Sequence, residues 1–144
     1  MLRTSDRERV AQLAMDAVSQ LVKTAEAAVL LTPRGEVAVS WTSFRRDARV
    51  LPPLAVPVDG SIATALRTKH QQRSPAGSLG AVDQLLFVTL GLTRGELVVT
   101  PLVARDRIIA VLVVAGTGLD AAVIAAIAAA AAEGFARLMR EALK

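Results

Sequence analysis

The 144-residue chain has no cysteine, no tyrosine, a single histidine and a single tryptophan, and only 3% of it is aromatic. Without cysteine there are no disulfides, no thiolate metal ligands and no cysteine nucleophile. With His70 as the only histidine and no Ser in a Gly-x-Ser-x-Gly elbow, a serine triad has no footing. Asp and Glu are scattered along the chain, so the spacings that hold a metal are missing too. We therefore expect a chain that is not an enzyme and carries no metal or cofactor. The basic residues are not interleaved with aromatics, which argues against nucleic acid as a partner. An uninterrupted membrane-length run is also missing. The most apolar region, residues 108–132, is broken by Gly116-Thr117-Gly118 and Asp120, and neither flank reaches the roughly 20 residues a span needs. The polar start MLRTSDRERV does not read as a signal peptide. The expectation is a soluble cytoplasmic protein with no membrane contact. Its net charge of +4 marks it as mildly basic.

What is present is aliphatic. The hydrophobic share is 53% and rich in Ala, enough for one domain over residues 1–144 with a proper core. The most informative stretch is residues 95–116, GELVVTPLVARDRIIAVLVVAG. Two apolar runs, 97–104 and 108–115, flank Arg105-Asp106-Arg107 and predict a β-hairpin. Neither run alternates apolar with polar, so both strands should be covered on two faces and lie mid-sheet. Pro101, which cannot donate to a ladder, predicts a local irregularity.

In chain order, Ser5-Asp6-Arg7-Glu8 has the form of a capping box. Val10, Leu13, Ala14, Ala17, Val18, Leu21 and Val22 then recur at helical spacing to about Thr24. Residues 27–31 read as a strand, Thr32-Pro33-Arg34-Gly35 as a turn and 36–44 as a second strand, with Val37, Val39 and Trp41 on one face. Residues 45–58, with Arg45, Arg46, Arg49 and three prolines, have no period and read as loop. A short helix at 62–68 should be capped by Asp59 or Ser61. Residues 69–80 read as loop with a brief extended piece, 81–90 as a second short helix, and the chain from Leu119-Asp120 nearly to Lys144 as a long one. Gly134 inside that helix implies a bend or a close approach by a neighbour. His70, within the polar 67–73 stretch, reads as a solvated loop residue; its functional alternative is a proton-sensing or ligand contact.

Three segments resemble the GAF domain family: Val56-Pro57-Val58-Asp59-Gly60-Ser61-Ile62-Ala63 with Leu66-Arg67-Thr68; Leu90-Gly91-Leu92 with 96–102; and 105–114. The resemblance spans nearly the whole chain. It implies an α+β fold: one antiparallel sheet, the first and last helices packed on one face, and the 45–90 region covering the other around a small-molecule pocket. Roadblock-type domains are a weaker resemblance, sharing the order helix, two strands, helix, strands, helix, but with a compact helix where this chain has its Pro-rich stretch. The enzymes of the GAF family include free methionine sulfoxide reductases, which need cysteines, as does thioether attachment of a bilin. This chain supplies none.

On that resemblance a pocket would be lined by Trp41, Ser61, Leu86 and Leu90. Arg45, Arg46, Arg49 and Arg67 would be anion contacts beside the Gly60-Ser61 helix start. The terminal helices permit a homodimer face made of Val10, Leu13, Ala17, Leu21, Ile127, Ala131 and Leu138. With no output domain in the sequence, a signal is expected to pass by contact. The reading that results is a non-catalytic regulatory module acting through another protein, as a homodimer. The alternatives are a sensor of a small anionic metabolite or nucleotide, and a roadblock-like adaptor for a small GTPase.

Overall fold

The structure, a computed structural model, describes residues 4–47, 53–75, 80–92 and 95–142. Six strands form one antiparallel sheet in the order β3-β2-β1-β6-β5-β4. Its centre is β1 (Ala25–Arg34), β6 (Arg107–Gly116) and β5 (Glu96–Ala104). β2 (Val37–Arg45) lies beside β1, and the short strands β3 (Ala55–Pro57) and β4 (Gln72–Pro75) form the margins. Helices α1 (Thr4–Leu21) and α4 (Ala121–Ala142) cover one face, and α2 (Gly60–Thr68) and α3 (Ala81–Thr89) the other. This is the α+β arrangement expected from the sequence.

The lack of alternation in the central strands has a direct cause. Ala28 and Leu30 of β1, Val98 and Leu102 of β5, and Leu112 and Val114 of β6 pack under α1 and α4. Their neighbours Val29, Leu31, Leu97, Val99, Val111 and Val113 pack under α2 and α3. Strands buried on both faces read as continuous apolar runs because each side chain, up or down, leaves water. The β5–β6 turn is made by Arg105 (φ 51°) and Asp106 (φ 65°). Two residues in the left-handed region match the twist of the strands they join. Pro101 pairs with Val111 of β6, while on its other side β4 reaches only as far as Val99. It therefore sits where one ladder has ended, and the register shift it foretold falls next to it, between Leu102 and Val103.

Two elements within expected loops are β3 and β4. Each pairs over three or four residues at a sheet margin, too short to show a period in sequence. At the far end of the chain, Ala121–Arg140 has a mean hydropathy of 1.6 and is long and apolar enough to cross a bilayer by length and composition alone. The apolar region read from the sequence, 108–132, ends inside this helix, which continues past it. In the fold, Ile124, Ala128, Ala131, Ala132 and Phe135 of that helix are buried in the core. Asp120 accepts a hydrogen bond from Val123 N–H (3.2 Å) at its start, as a helix cap does.

One close backbone approach fixes how β6 meets the start of β1. A methyl group added at Gly116 would lie 2.3 Å from the Thr24 carbonyl oxygen and 3.0 Å from Ala25 Cα. Both obstacles are backbone, so the sheet itself would have to move. Gly116→Ala is expected to lower the unfolding free energy by about 1–3 kcal/mol, the usual range for overpacking. Urea denaturation followed by circular dichroism checks it, and an unchanged midpoint would show that the β1–β6 junction gives way freely.

Candidate functional site

The expected pocket begins at α2. Its N-cap is Asp59, which accepts a hydrogen bond from Gly60 N–H (2.8 Å). Asp83 of α3, only 4% exposed, reaches across to the same helix end. Its carboxylate accepts the Ser61 N–H (3.1 and 3.2 Å to the two oxygens) and a short bond from Ser61 Oγ–H, and Ser61 Oγ also lies 3.1 Å from Ser74 Oγ of β4. The positive end of a helix favours an anion, and here the chain supplies its own. Gly60 makes room for it: with φ +59°, a Cβ there would stand 2.8 Å from Asp83 Oδ1. Ser61 is thus committed to an internal network joining α2, α3 and β4. In the sequence, Asp83 is one residue of the expected short helix at 81–90, and its partner 22 residues away leaves no local trace.

Leu86 and Leu90 belong to the same face as Ser61 but are core residues, 0% and 1% exposed, packed with Ile62, Phe87 and the sheet. Trp41 is on the opposite face. In the β1–β2 ladder Leu30 pairs with Thr42 and Leu31 with Ser40, so Trp41 is the extra residue of a bulge. Ala38 packs under α2 and α3, so alternation puts Trp41 on the other side, against the α1/α4 cluster with its ring stacked on Phe135 at 5.0 Å. The bulge brings Phe44 round to the same side. The four residues expected to line one pocket are therefore divided between the two faces of the sheet.

The expected anion contacts do not converge either. Arg45 pairs with Asp47 (2.7 Å), and its guanidinium fills the space where Gly91 would carry a side chain. Arg46 donates to the carbonyls of Ala25 (2.8 Å), Ser19 (3.2 Å) and Val22 (3.3 Å), closing the end of α1 and the start of β1, and lies over the Phe44 ring. Arg49 is outside the described residues. Arg67 is exposed in the last turn of α2, the end of a helix that repels anions. His70 is exposed. Among the described residues no group of three or more His, Asp or Glu side chains is placed to hold a metal.

The outer surface of α1 and α4 is different. Val10, Leu13, Ala17 and Leu21 of α1 and Ile127 and Ala131 of α4 line one apolar groove of about 750 Å³. These are six of the seven residues named for a dimer face; Leu138 is half-buried and does not line the groove. Val123, Ala126, Ala130 and Gly134 form the rest of the α4 side, with Arg137 at its end. Small residues bring the two helices close, and Gly134 does so most: a methyl there would come within 3.2 Å of Val10 Cγ1. Leu13 and Leu21 stand out of the surface at 58% and 63% exposure. They are two large apolar side chains in water above a trough of Ala and Gly, whereas the other strongly exposed pair, Leu85 and Val88 of α3, does not line the groove.

No protein-family model and no curated protein matches the chain. Solved structures do. The GAF domain of a two-component sensor histidine kinase from Bacillus halodurans superposes with a TM-score of 0.73 at 12% identity, covering 99% of each chain. The GAF-B domain of DevS from Mycobacterium smegmatis gives 0.67 at 23% identity, over 94% of this chain and 96% of that one. Free methionine-R-sulfoxide reductase from Neisseria meningitidis, solved with its substrate, gives 0.68 at 17% identity over 92% and 80%. The fold is that of GAF domains.

The Asp83 network carries a prediction of its own. Asp83→Ala would leave the buried Ser61 N–H and hydroxyl without their acceptor, at an expected cost of about 1.5–3 kcal/mol. Asp83→Asn keeps one acceptor oxygen and should recover part of that. Equal melting temperatures for wild type and Asp83→Ala would show that water replaces the carboxylate at no cost.

Proposed function

We propose that the chain is a cytoplasmic, non-catalytic regulatory module of signal transduction, working by contact between its α1/α4 face and the same face of a second copy. The observation that carries this reading is that one apolar groove holds both exposed leucines and a trough of small residues. A two-fold interface needs one surface to offer both knobs and holes. Leu13 and Leu21 are the knobs, and the Ala126–Ala130–Gly134 trough is the hole, all on one face. Burying each leucine fully is worth about 1.5–3 kcal/mol, so four of them across a symmetric pair supply a substantial part of a stable association. Likeness to a GAF domain from a two-component sensor histidine kinase supports a place in signalling. The reductase likeness does not bring an activity with it, since the cysteine chemistry expected of that class has no residue to run on here.

Sedimentation velocity tests the interface. The wild type should sediment as a dimer of the 15.1 kDa chain. Leu13→Asp and Ala126→Asp alter exposed positions, so both variants should keep the wild-type circular dichroism spectrum and sediment as monomers. A desolvated carboxylate in such an interface costs several kcal/mol, enough to shift Kd by more than about 100-fold. A wild type that stays monomeric at about 100 μM, a Kd weaker than roughly −5.5 kcal/mol, would overturn the dimer, and variants that stay dimeric would place it on another face.

A further inference from the structure

A second groove, of about 510 Å³, opens where the β1–β2 hairpin passes the first turns of α1. It is lined by Arg7 of α1, Thr32 and Arg34 of β1, and Val39, Ser40 and Trp41 of β2. Ala28 and Leu30 of β1 pack under the helices, and period-2 alternation carries that face on to Thr32 and Arg34. The strand continues beyond the core, so these two side chains emerge beside Arg7. Four other described arginines of the fold have partners: Arg45 with Asp47, Arg46 with three carbonyls, Arg73 with Glu96 and Arg140 with Glu133. Arg7 and Arg34 have none among the described residues, nor do Arg9, Arg67, Arg105, Arg107 and Arg137. What sets Arg7 and Arg34 apart is that they line one groove, and Glu36 in the adjoining turn forms no ion pair with Arg34.

We propose that this groove binds a small organic oxyanion with a planar body, such as an aryl phosphate or an aryl carboxylate. Two guanidinium groups lining one groove repel each other, and an oxyanion between them converts that repulsion into charge-assisted bonds suited to the planar fork of arginine. Ser40 Oγ accepts from Leu54 N–H (2.7 Å), which leaves its own proton to donate, and the half-buried Thr32 hydroxyl is a further donor. Trp41 supplies the apolar wall. It shares the face of Val39, which lines the same groove, and Phe135, stacked against it, holds the ring in place. The volume lies in the range that takes a small molecule. The site is on the helix-covered side of the sheet, away from Ser61, Leu86 and Leu90.

Trp41 is the only tryptophan, so the ¹H–¹⁵N spectrum of the full chain contains one indole resonance, and it reports directly on the groove. Titration with phenyl phosphate should move that resonance saturably, while phenol, which lacks the anion, should not. Arg7→Gln with Arg34→Gln should weaken binding by at least about 10-fold, the loss expected for removing charged hydrogen bonds. Both residues are exposed, and the remaining resonances verify that the fold is kept. Running benzoate in parallel separates a carboxylate ligand from a phosphoryl one. No saturable shift with either anion at about 10 mM, equal binding of phenol, or an unchanged Kd (within roughly 0.5 kcal/mol) in the double variant would overturn the site. Inorganic phosphate binding as tightly as phenyl phosphate would overturn the part assigned to the indole.

Discussion

Burial of β1, β5 and β6 on both faces is the constraint on which the rest of the molecule depends. Val29, Val99 and Val113 point one way and Leu30, Val98 and Leu112 the other, and each of these side chains is at most 1% exposed. A sheet with two apolar faces needs two covers. One is a pair of long helices from the ends of the chain, and the other is assembled from short pieces of its middle. The short pieces are held by polar bonds more than by area. Asp83 ties α3 to α2, Ser61 ties α2 to β4, and Glu96 holds Arg73 of β4 through two bonds while accepting the Leu119 N–H. Gln71 in turn bridges Thr100 of β5 and the Ala121 carbonyl at the start of α4.

The two covers leave different residues of chemistry. On the α2/α3 side the core is filled by Ile62, Leu86, Phe87 and Leu90, and the one buried acid is bonded internally. On the α1/α4 side the helices are built of Ala and Gly where they meet, so they close on each other without closing over their outer surface. An Ala-rich helix has enough apolar area to cover a sheet on one side and still expose an apolar trough on the other. The same composition that gives α4 its membrane-like hydropathy thus suits it to lie between a core and a second helical surface.

What was legible in the sequence follows from the range of the interactions involved. The hairpin of 95–116, the long last helix and the α2 cap rest on local periodicity and local turn chemistry, and they are where the sequence placed them. Helix α1 already includes Ser5, expected as its cap, and ends at Leu21 rather than near Thr24. The groove on α1 and α4 was legible for the same reason, because helical spacing alone puts Val10, Leu13, Ala17 and Leu21 on one side. Alternation also puts Trp41 on the face of Val37 and Val39, and there it is. Which cover that face meets was not legible, nor was the inserted residue in the β1–β2 ladder that brings Phe44 round to the same side. The arginines failed in another way. Arg45 and Arg46 clustered in sequence with Arg49 and suggested an anion site, yet Arg46 caps carbonyls more than twenty residues away, whereas Arg7 and Arg34, 27 positions apart by their numbering, line one groove. Charge density along a chain says little about which charges remain available after folding.

The two surfaces meet on α1. Arg7 lines the polar groove, and Val10, one turn further on the same helix, lines the apolar one and rests against Gly134. Trp41 lines the polar groove and stacks on Phe135, the residue after Gly134. An oxyanion held by Arg7, Arg34 and Trp41 would therefore touch α1 directly and reach α4 through the Trp41–Phe135 stack. Coupling between sites requires that a ligand favour one arrangement of an element over another. Here the element is defined: the spacing of α1 and α4 at Val10 and Gly134, where contact is already tight enough that a methyl would have to be accommodated. A ligand that draws Arg7 toward Arg34 acts on the N-terminal turns of α1, and any resulting shift changes the depth of the trough that receives Leu13 and Leu21. By reciprocity, closing that trough against a second copy would alter affinity for the oxyanion by the same factor.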